Sequence, residues 1–288
     1  MATESNVLTV DLEEWFVVEA LAGRYPQDEW KELPSTLERN TTRLLQVFQR
    51  YDVRATFFVL GYCAERFPDL IAEIYANGHE VACHSYTHRR VDQLDPEEFR
   101  LDTRRAVNAI IKACGARPLG FRAPSWSIND SVPWAFEILS ELGFEYDSSI
   151  FPIKHDLYGM PKGPRELFRM KLSEGRFLYE LPASTYRLLW WNLPIAGGGY
   201  LRHCPYWYSR RMIERINRRG KPAVVYIHPW EVDPEPPPVS GLSSVQRLRM
   251  FGSTGILGIK LEKLLRDFSF TTALHYIQKQ RKRKIGFH

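Results

Sequence analysis

Glu80-Val-Ala-Cys-His-Ser-Tyr-Thr-His88 opens as a strand-like run and ends in two histidines four residues apart. A helix-type segment, Asp69 to Ala76, precedes it and stops at Asn77-Gly78, a natural C-terminal signal. The same order of helix, turn, strand and polar residue recurs outward from this stretch. Upstream, Asn6 to Val10 is β-rich and ends at Asp11-Leu-Glu13-Glu14. Ser35 to Tyr51 predicts a helix with Leu37, Leu44, Leu45 and Phe48 on one face, and Arg54 to Leu60 a strand. Downstream, Pro96 to Cys114 predicts a helix closed by Gly115, and Pro118 to Phe121 a short strand delivering Arg122. Ser131 to Leu142 reads as a helix, Phe144 to Tyr146 delivers Asp147, and Pro222 to Ile227 delivers His228. This alternation predicts an α/β chain built on a parallel sheet or barrel. The polar residues fall just after strands, where β/α folds bind their ligands.

The chain has 288 residues, 44% hydrophobic and 25% charged, which excludes global disorder and allows one large core. No internal repeat or linker is visible. Pro234-Glu-Pro-Pro-Pro238 reads as a stiff loop, because a helix-like run follows from Ile259 to Phe268. Met1 to Asn6 lack a basic segment followed by an apolar one, and no run approaches the ~20 apolar residues of a membrane span. A cytoplasmic protein is expected. Cys63, Cys83, Cys114 and Cys204 form no paired motif and read as free, mostly buried thiols. Part of the net charge of +5 sits in Lys279-Gln-Arg-Lys-Arg-Lys284. That run is a solvated helix end or, in the sharper reading, a peripheral contact with anionic lipid at the inner membrane. No nucleic-acid motif accompanies it, so nucleic acid is not an expected partner.

One carboxylate and two histidines are the usual ligands of a hydrolytic zinc-type site with a position left open for water. His84 and His88 reach one ion if their segment turns helically. Asp11 and Glu13, two apart, share a side while the strand persists, and Glu14 faces the other way. One carboxylate then binds metal and the other accepts a proton. Arg122, clamped by Pro124, is expected to orient Asp11. Asp147 reads equally as an acceptor that raises the basicity of His228 or as a helix cap or turn residue. His228 ends the most apolar strand and faces the same mouth. Tyr186 to Asn192 and Gly197 to Tyr208 form an aromatic, glycine-rich excursion. It reads equally as a sugar-stacking surface or as a loop packed over the rim.

In this order the motifs resemble the polysaccharide deacetylase family with a NodB homology domain, carbohydrate esterase family 4. Val10-Asp-Leu-Glu-Glu14 resembles its first motif, His84-Ser-Tyr-Thr-His88 its HSxxH, and Gly120-Phe-Arg-Ala-Pro124 its RxP. Asp147-Ser-Ser149 and Tyr226-Ile-His228 resemble the last two. Gly197-Gly-Gly-Tyr200 and His228-Pro-Trp-Glu231 look like the branch found at exopolysaccharide and exosortase loci. The resemblance runs from about residue 6 to 233 and leaves a helical C-terminal extension, 234–288, on a single domain. It implies a distorted (β/α) barrel, a divalent metal and removal of acetyl from N-acetylated sugars. By position, Asp11 is the implied base and Arg122 its partner. Glu13, His84 and His88 are the implied ligands, and His228 the acid. The first motif departs from the common Asp-Asp form, so the choice between Glu13 and Glu14 stays open. Zinc suits two imidazoles and a carboxylate, with cobalt, manganese or iron as substitutes. The carbohydrate reading competes with hydrolysis of a small amide or imide and with an inactive sugar-binding module.

Overall fold

The computed structural model describes residues 5–21, 23–155, 158–195 and 197–285. Most of the N-terminal stretch read above for a signal, and His288, lie outside the described residues. The first strand, β1 (Asn6–Leu12), is buried along its whole length. A parallel strand flanked on both sides and covered on both faces requires such an apolar run. There follow α1 (Leu37–Arg50), β2 (Thr56–Val59), α2 (Gly61–Arg66), α3 (Pro68–Ala76) and β3 (Glu80–Cys83). Then come α4 (Pro96–Cys114), β4 (Gly120–Phe121), α5 (Trp134–Glu141) and β5 (Tyr146–Asp147).

The second half begins with an antiparallel pair, β6 (Phe168–Lys171) and β7 (Phe177–Glu180). A separate two-stranded hairpin, β8 (Thr185–Leu188) and β9 (Trp191–Pro194), comes next. The chain continues through α6 (Gly198–His203), α7 (Tyr206–Asn217) and β10 (Val224–Ile227). It closes with α8 (Ser244–Phe251), α9 (Thr254–Asp267), β11 (Phe270–Thr271) and α10 (Ala273–Ile285).

These strands make one nine-stranded sheet in the order β10-β1-β2-β3-β4-β5-β7-β6, with β11 also paired to β1. All pairings except β6 with β7 are parallel. The sheet curls into a half-barrel. At the open seam Val224 N donates to Ser184 Oγ at 2.7 Å.

Local chemistry explains several boundaries. On α4, Asp95 and Glu98 form a capping box, Pro96 opens the first turn, and Gly115 ends it at φ 72. On α1, Leu37, Leu44, Leu45 and Phe48 are buried as the periodicity predicts. The helix expected from Ser131 starts only at Trp134, after Pro133.

The C-terminal stretch does more than append helices. Its β11 joins the sheet, and Ala273, Tyr276 and Ile277 of α10 pack with Val7, Phe58, Tyr146 and Val224. Ala273 N donates to Thr56 Oγ1, and Leu274 N to Glu80 Oε2. Thr56 and Glu80 begin their strands, so α10 covers the end of the barrel opposite the strand C-termini. Among the described residues no helix is long and apolar enough to cross a membrane.

Candidate active site

Glu13, His84 and His88 present ligand atoms that all lie within 4.8 Å of one another, each side chain buried. Glu13 Oε2 is 2.7 Å from His88 Nε2 and 3.4 Å from His84 Nε2. It accepts no well-aligned hydrogen bond from either ring. That geometry suits a shared cation better than a direct N–H···O contact. His84 Nδ1 lies 2.8 Å from the Arg122 carbonyl, which takes the ring proton and frees the Nε2 lone pair for a ligand role. The three groups therefore fit a divalent ion. Burial raises the Glu13 carboxyl, but His88, His84 and His228 outweigh it and hold it well below the usual carboxylate range.

Glu14 belongs elsewhere. It points into a separate buried pocket near Ser35 and Arg66, where burial pushes its carboxyl up to about 7. Of the two candidates, Glu13 stands with the histidines.

The histidine spacing works differently from the expected helical turn. Residues 84–88 form a loop in which Ser85 (φ 61) and His88 (φ 56) adopt left-handed backbone. Asp102 on α4 holds it there, accepting from Tyr86 N at 2.8 Å, Thr87 N at 3.1 Å and Thr87 Oγ1 at 2.6 Å. Two peptide N–H bonds to one carboxylate compensate backbone that β-carbons disfavour. The sequence reading missed Asp102. Its only signal is an acidic residue at a position where α4 faces the loop.

Arg122 is fully buried and almost saturated. Nη1 donates to Asp11 Oδ1 at 2.5 Å and Thr9 Oγ1 at 2.9 Å; Nε and Nη2 donate to Ser148 O and Oγ. Its guanidinium lies over the Phe58 and Trp126 rings. The expected pairing with Asp11 is present, and a buried ion pair of this kind needs such complete hydrogen bonding.

His228 faces both carboxylates, its Nε2 being 3.9 Å from Asp11 Oδ2 and 3.7 Å from Glu13 Oε1. Its Nδ1 meets Glu231 Oε2 at 2.9 Å. Glu231 Oε1 in turn lies 3.1 Å from the buried Arg202 Nε. Burial opposes charge on the imidazole, yet Glu231, with Glu13 and Asp11 beyond it, pushes His228 up to about 9.

Asp147 does not hold His228, contrary to expectation. Its carboxylate accepts from Ser149 N and Oγ. Burial raises it, and burial together with Asp147 raises Glu180 well above the usual range. The reason is direction: Asp147 is itself a strand residue, and its side chain turns toward Glu180 on the neighbouring β7. Ser149 Oγ then accepts from Ala123 N at 2.8 Å, so Asp147 braces the segment carrying Arg122. Glu231 takes the place expected of Asp147. Its signal was there to read, an acid three residues after His228.

These groups line a cavity of 220 Å³ together with Trp126, Tyr158, Tyr226, Trp230, Gly198 and Gly199. A β-carbon on Gly197 would sit 2.0 Å from the Tyr226 ring, so glycine is needed where the chain crosses it. The aromatic excursion thus divides. Its glycines reach the cavity, whereas Trp190 and Trp191 are exposed outside it.

A polysaccharide deacetylase family model matches residues 28–146, the span that holds His84, His88 and Arg122. Over that span the chain carries a polysaccharide deacetylase domain. Residues 148–278 match a second model, a domain of unknown function termed DUF3473, and contribute Arg202, His228 and Glu231. A peptidoglycan deacetylase of Helicobacter pylori is 32% identical over 108 residues, 38% of this chain and 36% of that protein. A chitooligosaccharide deacetylase of Bradyrhizobium is 40% identical over 85 residues, 29% and 39% of the two chains. The matches thus span little more than a third of these curated relatives. A Mycobacterium smegmatis crystal structure carrying the polysaccharide deacetylase name superposes with a TM-score of 0.62 at 21% identity, covering 98% of this chain and 92% of that one. The chain shares that fold along nearly its whole length.

Proposed function

We propose that the chain is a metal-dependent N-deacetylase acting on an N-acetylhexosamine-containing polysaccharide or its lipid-linked precursor. The observation that carries this reading is the convergence of Glu13, His84 and His88 beside a carboxylate, Asp11, and an imidazole, His228. The donor set of one carboxylate and two imidazoles favours zinc, with cobalt, manganese or iron able to replace it. A divalent ion held there supplies Lewis acidity to the acetamide carbonyl and to the attacking water.

The remaining work falls to the chain. Asp11, fixed by Arg122, takes the proton of the attacking water. His228 carries a proton at Nε2, held by Glu231 behind Nδ1, and gives it to the departing sugar nitrogen. That proton matters because an amide anion is a poor leaving group. The aromatic walls of the cavity, Trp126, Tyr158, Tyr226 and Trp230, suit the apolar faces of a pyranose ring. The products are acetate and a glucosamine-type amine.

The test is acetate release from N-acetylglucosamine oligomers by chelator-treated protein, with zinc, cobalt or manganese then restored. Metal-dependent release is expected. Metal binding without acetate would remove the sugar substrate and favour a small amide. Absence of metal binding would remove the hydrolytic reading and favour a sugar-binding module.

A further inference from the structure

The β8–β9 hairpin ends in four consecutive large apolar residues that face solvent: Leu188 (52% exposed), Leu189 (71%), Trp190 (77%) and Trp191 (59%). Such a run belongs in a core or against a partner, because leaving it hydrated forgoes the burial that stabilises each of these side chains. The hairpin is nevertheless firmly held at its base. Tyr186 lies under the guanidinium groups of Arg215 and Arg219, and Asn192 Nδ2 donates to Pro152 O at 2.7 Å. The tip is therefore displayed on an anchored stalk.

Its surroundings are cationic. Arg187 on the hairpin is exposed, as are Lys154 and Lys162 on the neighbouring segment, and Lys154 lines a hollow with Trp190 and Trp191. Apolar rings with N–H groups, collared by basic side chains, match the headgroup zone of an anionic bilayer.

The geometry points to the β8–β9 tip as a docking element that inserts Leu189 and Trp190 into the surface of an anionic membrane. The tip is tied through Asn192 to the segment after β5, and Tyr158 of that segment lines the active-site cavity. Docking there holds the mouth of the site at the lipid surface.

Co-sedimentation of the full chain with phosphatidylglycerol–phosphatidylcholine vesicles tests this without any turnover, so it stands or falls apart from the N-deacetylase reading. The intact chain should bind anionic vesicles, more weakly in high salt and more weakly still to phosphatidylcholine alone. Leu189→Ser/Trp190→Ser should lower partitioning about tenfold or more. Its unchanged thermal unfolding would show that both side chains were exposed to begin with. A chain shortened by residues 279–288 should bind as the intact one does. Absence of binding by the intact chain overturns the proposal, as does loss of binding in the shortened chain with retention in the hairpin variant. It is equally overturned if the hairpin variant loses affinity only for soluble N-acetylglucosamine oligomers.

Discussion

Glu231 meets His228 Nδ1 at 2.9 Å, and its other oxygen meets Arg202 at 3.1 Å. The imidazole therefore sits in front of a negative charge that a buried guanidinium fixes in place. Glu231→Gln removes that charge, so the His228 pKa falls from about 9 and less of the acid form survives at high pH. The alkaline limb of acetate release should move to lower pH while metal content is unchanged. An unmoved limb would detach Glu231 from the acid.

Arg122 serves two purposes at once. Its side chain holds Asp11, and its carbonyl faces His84 Nδ1. Arg122→Lys keeps the charge but loses the planar fork that reaches Thr9, Asp11 and Ser148 together. Activity should fall by about 100-fold or more through misplacement of Asp11. Arg122→Met should in addition lower stability by roughly 3–5 kcal/mol, since Asp11 is left buried and unpaired. Denaturant titration and initial rates check both, and a fully active lysine variant would dismiss the orienting role.

Asp147 makes a contrasting case. Asp147→Asn keeps an acceptor for Ser149 and removes a charge that burial already disfavours beside Glu180. Its stability and pH profile should stay close to those of the parent chain. Asp147→Ala removes the acceptor of the Ser149 N–H and O–H groups and should cost about 1–3 kcal/mol. If Asp147→Asn displaced the alkaline limb as Glu231→Gln does, the assignment of Glu231 would fail.

The strand-to-polar-residue rhythm was legible because β1 to β5 and β10 are buried almost throughout, and the first polar residue after each apolar run marks the barrel mouth. Helix α4 was readable to its end residues, since its capping box and Gly115 are local signals. The ligand set was legible for the same reason. The partner of His228 was open between Asp147, the last residue of β5, and Glu231, three residues after the histidine, and packing decides which one reaches the ring. Asp102 was hidden by its 15-residue separation from Thr87. The hairpin tip was ambiguous in principle: Leu-Leu-Trp-Trp reads as a sugar-stacking surface as well as a loop packed over the rim.

Glu14 gives a pH test of stability. Its carboxyl is at about 7 in the fold against an ordinary 4.5, so the folded state holds the extra proton between those values. Stability from this group is full at low pH and is lost as pH rises through that window. Glu14→Gln should therefore raise the unfolding free energy by about 3 kcal/mol at pH 8 and change little at pH 4. Equal effects at both pH values would contradict the burial of a protonated Glu14.

The two sequence families meet near residue 147, but β1 lies between β2 of the first and β10 of the second, paired from Val7↔Val224 to Val10↔Ile227. A fragment ending at that junction keeps Asp11, Glu13, His84 and His88, yet leaves β1 as a long raw edge inviting aggregation. The complementary fragment carries the proton donor with nothing to protonate. Neither piece is portable. The halves must be inherited, expressed and lost together, and any swap between homologues has to carry the partner strand along.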